Sequence, residues 1–353
     1  MSIGFIDILQ SLIDGILFGS IYALIGLGFT LIFGAMEKLN MAYAASSIGG
    51  AYVGLGLATL LSLPLFLVFL IGPIAAGLIS ILVYLVSFRL IPSTNHLGSL
   101  MASIGALFFI DEVIIHETQG SPLTFPELGI FAEAYFMLGD LGFRGDLIFI
   151  MIFGLFSMGV IIYLLYYTRL GLATRAVSQQ NVAARFCGIP IHTINISTFV
   201  LAGILGGFAG CMAAASVGVI SPLLTIPITI KGLIAAVIGG LGSIRGAIIA
   251  GLMIGGVENF FLLVRGVNER DIYVFLHLYR LEVVLIVGRF SLLKIVSWKV
   301  FRISKFYFLL FRFRFGYLNP SKVLIFDTLI TIWKSFVAFG VVITFNPTWR
   351  WCI

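Results

Sequence analysis

Residues 168–189 read TRLGLATRAVSQQNVAARFCGI, a basic interval set between two long apolar runs. It carries Arg169, Arg175 and Arg185 and no Asp or Glu. Short loops of this charge stay on the cytoplasmic side of a bilayer. The segment before the preceding apolar run has the opposite character. From Asp111 to Asp146 it holds Asp111, Glu112, Glu117, Glu127, Glu133, Asp140 and Asp146 against Arg144 alone. The run 147–167 separates the two, which places 116–146 outside and 168–192 inside.

The rest of the chain fits a lipid solvent. Hydrophobic residues make up 60% of it and charged residues 10%, whereas a soluble domain carries roughly 25% charged residues. Spanning a bilayer takes about 20 apolar residues. Candidate spans fall at 8–34, 42–61, 63–87, 99–115, 147–167, 193–216, 225–243, 246–264 and 272–288. Counting from the basic loop puts Arg89 inside, the Leu63-Pro64 turn outside, Glu37-Lys38 inside and the N-terminus outside. Counting forward puts Ser221-Pro222 outside and Arg289 inside. The 99–115 run is short for a full crossing and is expected to tilt or re-enter. Pro227 and Lys231 are expected to break the helix over 225–243. The fold class expected is an all-α integral membrane protein, a polytopic transmembrane helix bundle with broken or re-entrant helices.

Other classes find little support. The net charge is +6, but the positive residues sit in loops between apolar segments, so nucleic acid is not the implied partner. Cys187, Cys211 and Cys352 lie far apart, and the four histidines show no metal-ligand spacing. The N-terminal segment has no basic region and carries Asp7 and Asp14, so the first apolar run reads as a retained span. Glycines four apart recur at Gly15/Gly19, Gly50/Gly54, Gly203/Gly207, Gly206/Gly210, Gly242/Gly246 and Gly251/Gly255. This spacing lets helix backbones approach closely in lipid.

No Walker A pattern and no Ser-His-Asp arrangement is readable, so any nucleotide-driven work must come from another chain. Ionisable groups at membrane depth are few: Lys231, Arg245, Glu258 and Asp14. Glu258 is the leading candidate for a functional buried carboxylate, with a place near a helix end as the alternative. Two polar interruptions stand out: Asn40, Tyr43, Ser46 and Ser47, and the run Gly239-Gly240-Leu241-Gly242-Ser243. Each is either part of a solute pathway or an interfacial turn.

GILFGSIYALIGLGFTLIFG (15–34), followed by LNMAYAASSIGGAYV (39–53), resembles the start of the branched-chain amino-acid ABC permeases of the LivH type. The basic loop is similar to their cytoplasmic ATPase-docking loop. GVISPLLTIPITIKGLIAAVIGGLGSIRGAIIAGLMIGGVEN (218–259) is similar to their Gly-rich second-half signature. The resemblance runs from about residue 10 to about 260. It implies a permease subunit of an importer in the bacterial inner membrane, multi-pass, with a periplasmic N-terminus. Implied partners are a second, LivM-like permease, cytoplasmic ATPase subunits, a periplasmic solute-binding protein and membrane lipid. This chain would hold no cofactor; ATP and Mg would sit on the ATPase. Thr168, Arg169, Gly171, Arg175, Gln179, Asn181, Arg185 and Gly188 would form the ATPase-coupling helix-turn, and replacing Arg175 and Arg185 by Glu would uncouple hydrolysis from uptake. Asn40, Tyr43, Ser46, Gly239, Gly240, Gly242 and Glu258 are the candidate pathway residues. A permease for urea or short amides, or a secondary transporter, are the alternatives.

The chain departs from the family pattern in three places. Tyr43-Ala44-Ala45-Ser46 stands where His-Gly-Glu is usual, and Arg245 stands where Pro is usual. Likeness fades after about Ile272, so the chain divides into a permease domain, 1–288, and a basic, Phe-rich tail, 289–353. The abrupt switch points to a reading-frame slip near 276–290. An amphipathic extension lying on anionic lipid is the alternative.

Overall fold

A computed structural model describes residues 5–62, 67–91, 96–125, 135–138 and 141–265. The expected span 272–288 and the tail 289–353 lie outside these residues.

The first helix, α1 (Phe5–Met36), is apolar along nearly its whole length and carries Asp7 in its first turn, where the helix dipole favours an acid. It packs against α5 (Gly145–Tyr167), α8 (Ile191–Val217), α9 (Thr225–Gly239) and α10 (Ile244–Arg265). A second helix, α2 (Tyr43–Leu60), is rich in small residues and lies among α3 (Val68–Val83), α4 (His96–Thr118), α8 and α9. α3 runs on into a π-helical segment, Tyr84–Arg89. Two short helices, α6 (Arg169–Gln179) and α7 (Asn181–Phe186), connect α5 to α8.

Short strands decorate one end of this all-α bundle. β1 (Leu123–Thr124) pairs antiparallel with β4 (Val219–Ile220), and β2 (Tyr135–Leu138) pairs with β3 (Leu141–Arg144).

Among the described residues seven helical segments are long and apolar enough to cross a membrane: Ile6–Met36, Val68–Arg89, Leu97–Thr118, Gly145–Tyr167, Ile191–Val217, Pro222–Gly239 and Ile244–Val264. α2 is not one of them. Its many Gly, Ala and Ser residues, most of them enclosed by protein, lower its mean hydropathy, and its exposed apolar residues are Val53, Leu57 and Leu60.

Two expectations are corrected. The 99–115 run belongs to a helix of 23 residues, which at 1.5 Å per residue extends about 34 Å and suffices for a full crossing. The polar flanks His96–Gly98 and His116–Thr118 hid its length. Nor does Pro227 break α9. It occupies the first turn, where a missing N–H costs nothing. The irregularity lies before it, in the 3-10 turn Pro222–Leu224, and after it, at Gly240–Ser243.

Contacts between helix ends agree with the alternation counted from the sequence. At one end the Lys38 Nζ donates to the Ser99 Oγ (2.7 Å), the Met41 N–H to the Ser103 Oγ (3.2 Å), and Tyr84 meets the His192 Nδ1 (3.1 Å). At the other, Gln10 clasps the backbone of Gly142 through both its amide atoms, and the Ser11 Oγ donates to the Asn259 carbonyl (2.8 Å).

Glycine pairs form the tightest seams. A Cβ on Gly15 would lie 2.6 Å from the Gly255 carbonyl oxygen, and one on Gly251 would run into the backbone of Ala23. Gly50 and Gly54 meet α3 at Gly72 and Ala76, while Gly206 and Gly210 meet α2 at Tyr43 and Ser47. Gly242/Gly246 is different, because Gly242 lies in a turn and Gly246 abuts Gly239. Gly251→Ala should therefore destabilise the bundle by about 1–3 kcal/mol through overpacking. Gly159→Ala has open space around it and should be neutral or slightly stabilising. Thermal unfolding of the two purified variants checks the contrast.

Candidate functional site

The basic interval folds into a two-helix elbow. Thr168 caps α6: its Oγ1 accepts from the Gly171 N–H (3.3 Å) and donates to the Leu164 carbonyl. Gly171 is required here, because a Cβ would collide with the backbone of Leu165. Gln180 is extended and ends α6, and α7 follows. Gly188 closes the elbow with φ 79°, a conformation that favours glycine. Val177, Ala184 and Ile194 form a small apolar cluster that pins both short helices to the start of α8.

The eight elbow residues predicted from sequence thus belong to one structural unit, but they face different ways. Arg169, Gln179, Asn181, Arg185 and Gly188 are exposed. Arg175 folds back instead. Its guanidinium lies over the Tyr166 ring at 5.2 Å, and its Nη2 donates to the Tyr166 carbonyl (3.4 Å). It braces the elbow on α5. Phe186, 87% exposed, and Val182 also stand out from the surface. A Phe directly following an Arg in a polar loop is the sequence signal for this, and charge alone does not register it.

The predicted pathway residues lie on three elements: the start of α2, the α9–α10 turn and the later part of α10. Asn40, Tyr43 and Ser46 are fully enclosed at the start of α2. The Asn40 Oδ1 accepts from the Ala42 N–H (3.1 Å), and the Ser46 Oγ donates to the Ala42 carbonyl (2.7 Å). The Tyr43 ring meets Phe29 edge-on at 4.9 Å and fills the space left by Gly28 and Gly206. Beside this group, burial holds the Lys38 ammonium below the usual lysine range. Gly239, Gly240 and Gly242 form the α9–α10 turn. Gly240 and Gly242 take φ values of 92° and 91°, and Gly239 abuts Gly246.

Glu258 lies 14 positions beyond the start of α10 at Ile244, about 21 Å along the axis, and so far from that turn. It is not at a helix end. Its Oε1 accepts from the Lys231 Nζ (2.8 Å), and both side chains are buried. Lys231 stays buried and also reaches the Tyr22 hydroxyl (3.4 Å). Arg245 is exposed at the start of α10.

The high-affinity branched-chain amino acid transport system permease protein BraD of Pseudomonas aeruginosa is 29% identical over 279 residues, covering 76% of this chain and 90% of BraD. LivH of Escherichia coli, named likewise, is 27% identical over 290 residues, covering 78% and 92%. Among solved structures, an ABC transporter in an inward-facing conformation gives a TM-score of 0.44 at 18% identity, covering 79% of this chain and 85% of that one. The profile of the branched-chain amino acid transport system / permease component family matches residues 11–285, past the point near Ile272 where likeness was read as fading. With seven apolar helices and permease relatives along most of its length, this is a multi-pass membrane protein, and the chain belongs to the branched-chain amino acid transport permease family.

Proposed function

We propose that this chain is one of the two membrane subunits of an ATP-driven importer that carries branched-chain amino acids across a bacterial inner membrane. The observation that carries the reading is the elbow. It is a folded two-helix unit on a braced base, held out at one end of the bundle with Arg169, Val182, Arg185 and Phe186 displayed. Such a surface suits a soluble partner that pushes, and the positive-inside rule puts it on the cytoplasmic face. ATP and Mg would be held by a separate ATPase chain. A periplasmic binding protein would deliver solute at the opposite end, where the acid-rich segment lies, and a second permease would complete the passage.

Orientation has a direct test, because Cys187 lies on the exposed part of the elbow whereas Cys211 is buried. In a Cys352→Ser background, a membrane-impermeant maleimide should label Cys187 in inverted vesicles and leave it untouched in right-side-out ones. The reverse pattern overturns the docking role. Function itself is tested in proteoliposomes containing the full importer. Leucine uptake should require ATP and the binding protein, and uptake of leucine without any ATPase chain would favour a secondary transporter.

A further inference from the structure

Asp111 stands among the outside acids in the sequence, but the fold takes it inside. It lies on α4, 8% exposed, seven residues before the helix end at Thr118, hence about 10 Å below that end. Asp111 and Thr225 of α9 face one another, and Tyr52 of α2 lies within electrostatic range of the same carboxyl. Tyr52 is 9% exposed and Thr225 fully buried. The Asp111 Oδ1, Tyr52 Oη and Thr225 Oγ1 are all buried and none makes a hydrogen bond of good geometry, although the Asp111 carboxyl and the Thr225 hydroxyl lie near enough for a loose one to each other. Three helices therefore bring three poorly bonded oxygens to one locality, one of them on a carboxyl group. At membrane depth no solvent repairs such a deficit, and an ionisable group there marks a functional site.

Resting on the importer reading above, we propose that Asp111, Tyr52 and Thr225 form a binding site for the α-ammonium group of the amino acid in transit. A primary ammonium offers three N–H donors and no acceptor. The site offers three oxygen acceptors, and the carboxylate supplies the compensating charge. Three protein oxygens are too few for a hard metal cation, which takes six or more ligands.

The site also lies where delivery requires it. The chain leaving α4 and the chain entering α9 are tied at this end by the β1–β4 pairing, and the Phe125 N–H donates to the Gly218 carbonyl (3.0 Å). That two-residue pairing joins the connections next to the helix ends carrying Asp111 and Thr225, on the side at which a binding protein would release solute.

The experiment uses the full importer in proteoliposomes, with leucine as the probe and its α-keto analogue, 4-methyl-2-oxopentanoate, as the ammonium-free control. Asp111→Asn should lower leucine uptake roughly 30-fold or more and Tyr52→Phe roughly fivefold, as expected for a charged and a neutral hydrogen bond. The keto acid should fail to compete with leucine in the parent importer. Thermal unfolding separates binding from support. An oxygen kept unsatisfied for a ligand costs stability, so Asp111→Asn should unfold at or above the parent temperature. Leucine uptake by Asp111→Asn within twofold of the parent would overturn the site, as would a loss of uptake matched by a lowered unfolding temperature. A parent importer that moves a neutral solute and no amino acid would instead overturn the amino-acid substrate of the proposed importer, and the ammonium site with it.

Discussion

Replacing Lys231 with methionine should destabilise the bundle by about 3–5 kcal/mol, the cost of leaving a buried carboxylate without its counter-charge. The pair joins α9 to α10, with the Lys231 Nζ 2.8 Å from the Glu258 Oε1 and side-chain exposures of 4% and 6%. The ammonium also lies 5.5 Å from the centre of the Tyr22 ring, so one cation ties α9 to both α10 and α1. Glu258 is 5% exposed, so little solvent is at hand to replace the lost partner, and the helices around it would have to part at the glycine seam between α1 and α10 to admit more. Glu258→Leu should be comparably harmful, because it strands the ammonium. The double variant, Lys231→Met with Glu258→Leu, should recover most of the loss, since an apolar pair of similar volume needs no compensation. Thermal unfolding of the three variants gives the coupling directly. If the double variant is as unstable as the sum of the singles, the ion pair is not the source of the effect. This arrangement makes Glu258 a joint between helices.

How much of this was legible beforehand depended on the kind of signal. Apolar runs and loop charge gave the order of the helices, because both express the solvent each segment meets. Helix ends were less visible. His96, Gly98, His116 and Glu117 made α4 look too short, since polar residues in the outer turns lower the apparent length of an apolar run. Glycine spacing marked close packing but not the partner. Gly15/Gly19 and Gly251/Gly255 face each other across more than 200 residues of sequence, and only the fold pairs them. The same holds for Lys231 with Glu258 and for Asp111 with Thr225. Asp111 was grouped with outside acids because charge counting assigns a side of the membrane and not a depth. On the elbow, arginine content marks Arg175, whose guanidinium turns inward onto Tyr166, while nothing in the sequence beyond its place after Arg185 sets Phe186 apart in a chain with 33 phenylalanines.

That last difference fixes the second large effect. The combined change Arg185→Glu with Phe186→Asp should reduce ATP-dependent uptake roughly 100-fold, the scale of losing an aromatic anchor and its charged neighbour from a protein interface. Both side chains are exposed and support no core, so the unfolding temperature should stay within a degree or two of the parent, as for surface changes generally. The ATPase subunits should also co-purify less well with the variant. Arg175→Glu tests a different part. It removes the contact with the Tyr166 ring and carbonyl and should loosen the elbow from α5, lowering stability as well as uptake. Gly171→Ala should do so more strongly, because its Cβ would collide with the Leu165 backbone and push α6 away from its seat. A base that must be rigid and a tip that must be displayed thus predict separable losses: stability and uptake together for Arg175 and Gly171, uptake alone for Arg185 and Phe186. If the tip variant kept full uptake while the base variants lost it, force would have to enter the bundle elsewhere than through the face holding Phe186. If base and tip variants lost stability equally, the elbow would be part of the folded core and not a handle for a partner.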